Sequence, residues 1–424
     1  MSYLHNDNFC IQPWIHFSTW NDGAVPLCCV ATPERDLNLN VHTIKECWNS
    51  EQFKSARRQF LADERPGQCQ HCWREEDSGV KSHRQIENDY WITRLGQEFL
   101  DARIANTLPD GGLIEDPITL DLRLGNTCNL QCVMCRPRDS SRWLADGKKL
   151  IEILTTDAVY DWRDKIAISS QEFEWFEHNR TIQSLEEIMG SIRHVIFGGG
   201  EPLLIKQHLR FIQNLVASGS SKNIELRYHT NGTQLSDDLL ELWSKFKHVE
   251  LMISIDDWEQ RNSWIRYPAD WPTIMKNLDR LDQTSDNITI RILTSVHALN
   301  IYTLPEFATS LLAQGYKKIG RIDSGGLFSV GTVHWPRYLN TQVLPLDVKH
   351  KIQEHWNRFS ELEKNERWAT RIKTQIDYMM ANDQSHLFHQ LVDYLDSLNE
   401  IRPVHYQTVY SEYYKCLDYD SKNN

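Results

Sequence analysis

Cys128, Cys132 and Cys135 fall in Cys-x3-Cys-x2-Cys spacing directly after Ile118–Leu124, a stretch that alternates as a β-strand. Spacing this close wraps one tight loop around a single inorganic centre. Three thiolates, unlike four, leave a position open. A [4Fe–4S] cluster held by three cysteines keeps one iron free for an outside ligand, and the same logic separates catalytic from structural zinc. A zinc knot, or cysteines clustered by chance, is the competing reading of the spacing alone.

The chain around this loop reads as α/β. Further strands are expected at 191–197, 224–229, 249–255 and 288–296, with a sixth at 318–322, and helices at 236–247 and 304–312 lie between them. Strands alternating with helices predict a parallel sheet, with polar and Gly-rich residues at the strands' C-terminal ends where such folds place their sites. The segment 138–190 reads as a helical insertion, and 345–424 as helices without legible chemistry. Before the sheet, 1–85 is cysteine- and turn-rich, with one amphipathic helix expected from Ile44 to Phe60, and 86–117 reads as a connecting helix and linker. A module as small as 1–85 is expected to bury little apolar surface, to need a metal staple, and to unfold without it.

Composition sets limits. The chain has 424 residues, enough for two or three domains, and a formal charge of −12, which disfavours sequence-independent binding of nucleic acid. No stretch approaches the roughly 18–20 apolar residues of a membrane helix, and the first residues lack a signal-peptide layout. A cytoplasmic chain is expected. In a reducing compartment, clustered thiols hold metal more readily than they form a disulfide scaffold.

After the second expected strand comes Gly199-Gly200-Glu201-Pro202, and with it the sequence resembles the radical S-adenosylmethionine (radical SAM) enzymes. The resemblance spans about 118–325 and implies a partial (β/α)6 barrel. Cys128, Cys132 and Cys135 would then hold the catalytic [4Fe–4S] cluster. Met134 stands where the family usually has an aromatic residue. The resemblance further implies that Gly199, Gly200, Glu201 and Pro202 receive the amino group of SAM and that Asn231 lies in the turn after the third strand. Ser254 and Arg266 resemble the pair that holds the SAM carboxylate in the peptide-modifying branch.

The N-terminal region resembles the SPASM extension of these enzymes in its shorter twitch form, with Cys10, Cys28, Cys69 and Cys72 as ligands of a second [4Fe–4S] cluster. The family carries this module after the barrel, whereas here it precedes it. Cys29 and Cys47 are alternates, read otherwise as buried free thiols. A structural zinc with His71 or His83 is the alternative for the whole module, and Cys416 is read as a bystander.

The implied chemistry is reductive cleavage of SAM to a 5′-deoxyadenosyl radical and hydrogen abstraction from a substrate, fed by a reductase or flavodoxin-type donor. The substrate is expected to be a peptide or protein side chain; a small polar metabolite such as a sugar or nucleotide is the alternative. A non-catalytic iron–sulfur or zinc protein is the reading from another class. His194 and His229 are expected to be packed or exposed, and Asp256-Asp257 to form a solvated turn. Arg136 and Arg138 either meet substrate or balance cluster charge. Residues 326–424 are expected to form a mostly helical C-terminal region.

Overall fold

A computed structural model describes residues 2–34, 36–162, 173–319, 328–362, 366–411 and 413. Seven strands lie in one sheet in chain order: β1 (His16–Ser18), β2 (Thr119–Arg123), β3 (His194–Gly198), β4 (Glu225–Thr230), β5 (His248–Ser254), β6 (Ile288–Val296) and β7 (Phe328–Thr332). The β1–β2, β2–β3, β3–β4 and β6–β7 pairs are parallel. The expected α/β class with a parallel sheet is what the chain forms.

Two strands differ from expectation. β1 comes from inside the segment read as a separate module, so 1–85 contributes to the sheet itself. Of the expected sixth strand, Lys318 and Ile319 are not extended in a ladder, and 320–322 lie outside the described residues, as does Cys416; β7 begins at Phe328.

The chain divides into two compact units. The first comprises Met1–Asn126, Ser169–Tyr228 and Glu241–Val249; the second comprises Thr127–Ile168, His229–Leu240 and Glu250–Asn424.

In the first unit the two sheet faces differ. Leu120, Leu122, Val195, Phe197, Leu226 and Tyr228 alternate toward one face and are buried, since successive strand residues point to opposite sides. Phe197 stacks on Tyr228, whose hydroxyl meets His208 Nε2 at 2.8 Å, on the helix Lys206–Ala217. The other face carries His16, Thr119, Asp121, His194 and Arg227. A parallel sheet covered by helices on both faces would be apolar on both; this one has a polar inner side.

The N-terminal segment buries more than its length suggests. Phe9 stacks on Trp14 at 5.0 Å, Trp48 packs on Phe53 at 5.2 Å, and Phe60 meets Trp73. Arg57 is fully buried among them, donating to the carbonyls of Pro13, Trp48 and Gly111 with its guanidinium 4.5 Å above the Trp48 ring. This aromatic core buries apolar surface that the sequence did not lead one to expect of so short a segment. The single helix expected from Ile44 to Phe60 is two, Ile44–Trp48 and Glu51–Leu61. It breaks at Asn49, whose side chain bonds both backbone groups of Leu113, a local alternative to helix continuation.

In the second unit, the insertion contributes the helix Trp143–Ile153. The C-terminal region is helical as expected, with Leu346–Leu362, Glu366–Ala381, Phe388–Asn399 and Tyr406–Val409. No helix among the described residues is long and apolar enough to cross a membrane.

Candidate iron–sulfur and SAM sites

The backbone of the three-cysteine loop is pinned by hydrogen bonds, mostly to other elements. Val133 N donates to Ile265 O at 2.8 Å and Cys135 N to Cys132 O at 3.0 Å. The carbonyls are held as firmly. Leu130 O accepts from Ser140 Oγ at 2.6 Å, Cys132 O from Trp143 Nε1 at 3.1 Å and Val133 O from Tyr394 Oη at 2.8 Å. Gln131 O accepts from Arg402 Nη2 at 2.7 Å. Arg402 is buried, with its guanidinium 4.6 Å from the Trp264 ring. Tyr394 and Arg402 come from the C-terminal region whose chemistry the sequence did not reveal.

The thiols interact with one another. Cys132 and Cys135 share a hydrogen bond, which is the main cause lowering the Cys132 pKa and raising that of Cys135, whose thiol also feels Cys128. Arg266 Nη1 lies 3.9 Å from Cys132 Sγ and favours its thiolate further. Thiolates are the form that binds metal, so the donor set fits an iron–sulfur cluster. Met134 is half-buried in the same loop.

Asp256 and Asp257, expected to form a solvated turn, are both fully buried. Asp256 takes a two-point contact from Arg266, Nε–Oδ2 at 2.8 Å and Nη2–Oδ1 at 3.0 Å, and accepts Ser295 N. Asp257 pairs with Arg261 and accepts from Thr303, while burial raises its pKa to about 6. Truncating one partner of a buried pair such as Asp256–Arg266 costs about 3–5 kcal/mol, because it leaves an uncompensated charge. Arg266 therefore has a structural duty besides any contact with a ligand. Ser254 ends β5 and is half-buried.

Asn231 is tied to the cysteine loop, its Nδ2 donating to Asn129 Oδ1 at 2.9 Å. Gly232 follows with φ at 72°, and a Cβ there would stand 2.8 Å from Ile253.

In the first unit, Gly199 adopts φ of 109° and lies so close to the β2 end that a Cβ would stand 2.8 Å from Gly125 O. Only glycine fits there. Gly200 N donates to Gly125 O, and buried Glu201 accepts Leu203 N through Oε1 ahead of Pro202.

Cys10, Cys28, Cys69 and Cys72 line one cavity in the first unit. Burial is the largest cause raising each thiol pKa, and neighbouring cysteines raise those of Cys10, Cys28 and Cys69 further. Such protons leave when metal binds. Cys29 and Cys47 do not line this cavity: Cys29 Sγ meets His83 Nε2 at 3.5 Å, and Cys47 is buried in the helix Ile44–Trp48. Among the described residues, no three His, Cys, Asp or Glu side chains converge as they would on one metal ion. Four thiols facing one cavity supply the donor set a [4Fe–4S] cluster needs. His71 faces the same cavity and pairs with Glu75 at 3.3 Å.

Comparison with known proteins agrees with this geometry. Residues 122–296 match the model of the radical SAM superfamily, and residues 10–73 match that of an iron–sulfur cluster-binding domain, SPASM. The chain carries a radical SAM domain. The iron–sulfur domain precedes it, and the two together imply a [4Fe–4S] cluster and SAM. Among solved structures, anSMEcpe with bound AdoMet and Cp18Cys peptide is 15% identical with a TM-score of 0.36, the match covering 63% of this chain and 62% of that one. SuiB from Streptococcus suis bound to S-adenosylmethionine is 12% identical with a TM-score of 0.35, covering 69% and 57%. TYW1 with a lysine–pyruvate adduct is 15% identical with a TM-score of 0.31, covering 57% and 73%. No curated protein matches the chain.

Proposed function

We propose that this radical SAM protein reductively cleaves SAM and abstracts a hydrogen atom from a peptide or protein side chain. The observation that carries the reading is the loop in which three interacting thiols sit on a backbone pinned by hydrogen bonds. When bound, the cluster and SAM supply a 5′-deoxyadenosyl radical after one-electron reduction.

The chain's own residues hold and orient. Cys128, Cys132 and Cys135 bind as thiolates and give up their protons. Arg266, fixed by Asp256, keeps positive charge beside Cys132. With Ser254 it holds the SAM carboxylate, while Gly199, Gly200, Glu201 and Pro202 receive the amino group. Met134 and Asn231 complete the SAM contacts. Tyr394 and Arg402 act as positioning residues through the loop carbonyls they bind. Cys10, Cys28, Cys69 and Cys72 would hold a second [4Fe–4S] cluster, which would supply electron relay when bound, and a reductase or flavodoxin-type protein would be the electron donor.

The iron–sulfur domain and the Ser254/Arg266 pair, both resembling the peptide-modifying branch, favour a peptide over a sugar or nucleotide. Hydrogen abstraction labels its source, which makes the choice measurable. Reduced protein is given SAM and either the peptide or the small-metabolite fraction of cells grown in deuterated medium. Deuterium is expected in the 5′-deoxyadenosine formed with the peptide fraction. Label arising from the metabolite fraction alone would replace the peptide reading with the metabolite one.

A further inference from the structure

Next to the four-cysteine cavity, the first unit contains a polar cavity of about 210 Å³. The strand register builds its floor. His16 pairs with Thr119 and Thr119 with His194, so these three form one row across β1, β2 and β3. Asp121 and Arg227 stand in the next row on the same face, opposite Ile196. Gln12 and Glu87 close the cavity from the N-terminal segment, and Gln12 and His83 line the neighbouring four-cysteine cavity as well. The first row lies at the N-terminal ends of β2 and β3, away from the C-terminal ends from which the Cys128 loop and Gly199 arise.

Four buried polar atoms here have no hydrogen-bond partner: Gln12 Oε1, His16 Nε2, Thr119 Oγ1 and His194 Nδ1. Their residues are 3%, 5%, 0% and 5% exposed. Buried polar groups are almost always satisfied, so four orphans around one space indicate something that fills it. Their chemistry restricts what that is. Gln12 Nε2 is spent on Glu87 Oε2 at 2.7 Å, which leaves its carbonyl able only to accept. Burial lowers the His16 pKa to about 3 and lowers that of His194, so both rings are neutral, each with one donor and one acceptor nitrogen. Two carboxylates, Asp121 and Glu87, face one guanidinium, Arg227. A single metal ion does not suit, because no three ligating side chains converge closely enough among the described residues.

We infer that this cavity binds a small organic ligand rich in hydrogen-bond donors, an ammonium- or amide-bearing group of amino-acid size. Asp121, Glu87 and the Gln12 carbonyl accept, and Arg227 is the one guanidinium that faces them. The inference is independent of the radical chemistry and of the substrate proposed above.

Glycinamide, which carries both donor groups, is the probe, and glycolate is the acidic control of similar size. Equilibrium dialysis of labelled glycinamide against the reconstituted full chain should give one saturable site that glycolate does not displace. Removing an orphaned partner should weaken binding about tenfold in His194→Phe, the effect of one lost hydrogen bond at the strong end of its range. Thr119→Val keeps the side-chain volume and removes only the hydroxyl, so it serves if His194→Phe folds poorly; weakening of about threefold is expected there. Bound glycinamide should also raise the melting temperature of the wild type more than that of either variant. Absence of saturable binding, equal binding of glycolate, or unchanged affinity in both variants would overturn the inference and leave a cavity filled by water.

Discussion

Cys132→Ala is expected to reduce 5′-deoxyadenosine formation from SAM and reductant to background. Cys132 is the most enclosed of its three thiols, 5% exposed beneath Arg266 and between residues whose backbone groups are all engaged. Water is a poor replacement for the lost thiolate on iron in such a cluster. The fold should tolerate the change, since Sγ is a small part of a loop anchored by Ser140, Trp143, Tyr394 and Arg402. Cys47→Ala is the matched control: it removes an equally buried thiol that lines neither cysteine site, so turnover should stay at the wild-type level. Chromatographic assay of 5′-deoxyadenosine, with iron analysis of both variants, checks the pair. Wild-type turnover in Cys132→Ala would refute the ligand assignment.

The double variant Cys69→Ala/Cys72→Ala is expected to lose half the iron, falling from about eight to about four per chain. Cys72 and Trp73 lie on the short helix Gln70–Asp77, which is otherwise mostly exposed and buries only those two side chains. That helix should therefore lose hydrogen-exchange protection. The aromatic core around Trp14, Phe53 and Phe60, and the strand β1, should keep most of theirs, because Trp14 packs on Phe60 and Phe17 on Phe53 independently of that helix, which contributes Trp73 alone. Cleavage of SAM without substrate should survive, and substrate conversion should not. Iron unchanged from wild type with one zinc lost would replace the second cluster by a structural zinc.

Much of this fold can be read from residue order alone. Five strands announce themselves by alternation or by apolar runs ending in glycine or polar residues, and Ile288–Val296 is found at its full extent. The three-cysteine spacing is visible because its ligands are close in sequence. Features made by distant residues are not visible. β1 is three residues long, too short for a period of two to register, and it lies among turns. Asp256-Asp257 has the look of a solvated turn because polarity does not disclose that Arg266, Arg261 and Thr303 return to bury it. Tyr394 and Arg402 lie 261 and 271 residues from the loop positions they bind, and no local pattern marks either. The four N-terminal cysteines that share one cavity are legible as a set, whereas the position of Cys29 and Cys47 outside it depends on contacts no local pattern shows.

The central claim is that Cys128, Cys132 and Cys135 leave one iron open to SAM. Electron paramagnetic resonance of the reduced, anaerobically reconstituted chain tests it directly, with and without saturating SAM. The account predicts that SAM changes the spectrum of one cluster and leaves the other as it was, the change disappearing in Cys132→Ala. Identical spectra with and without SAM, in protein carrying its full iron, would contradict it.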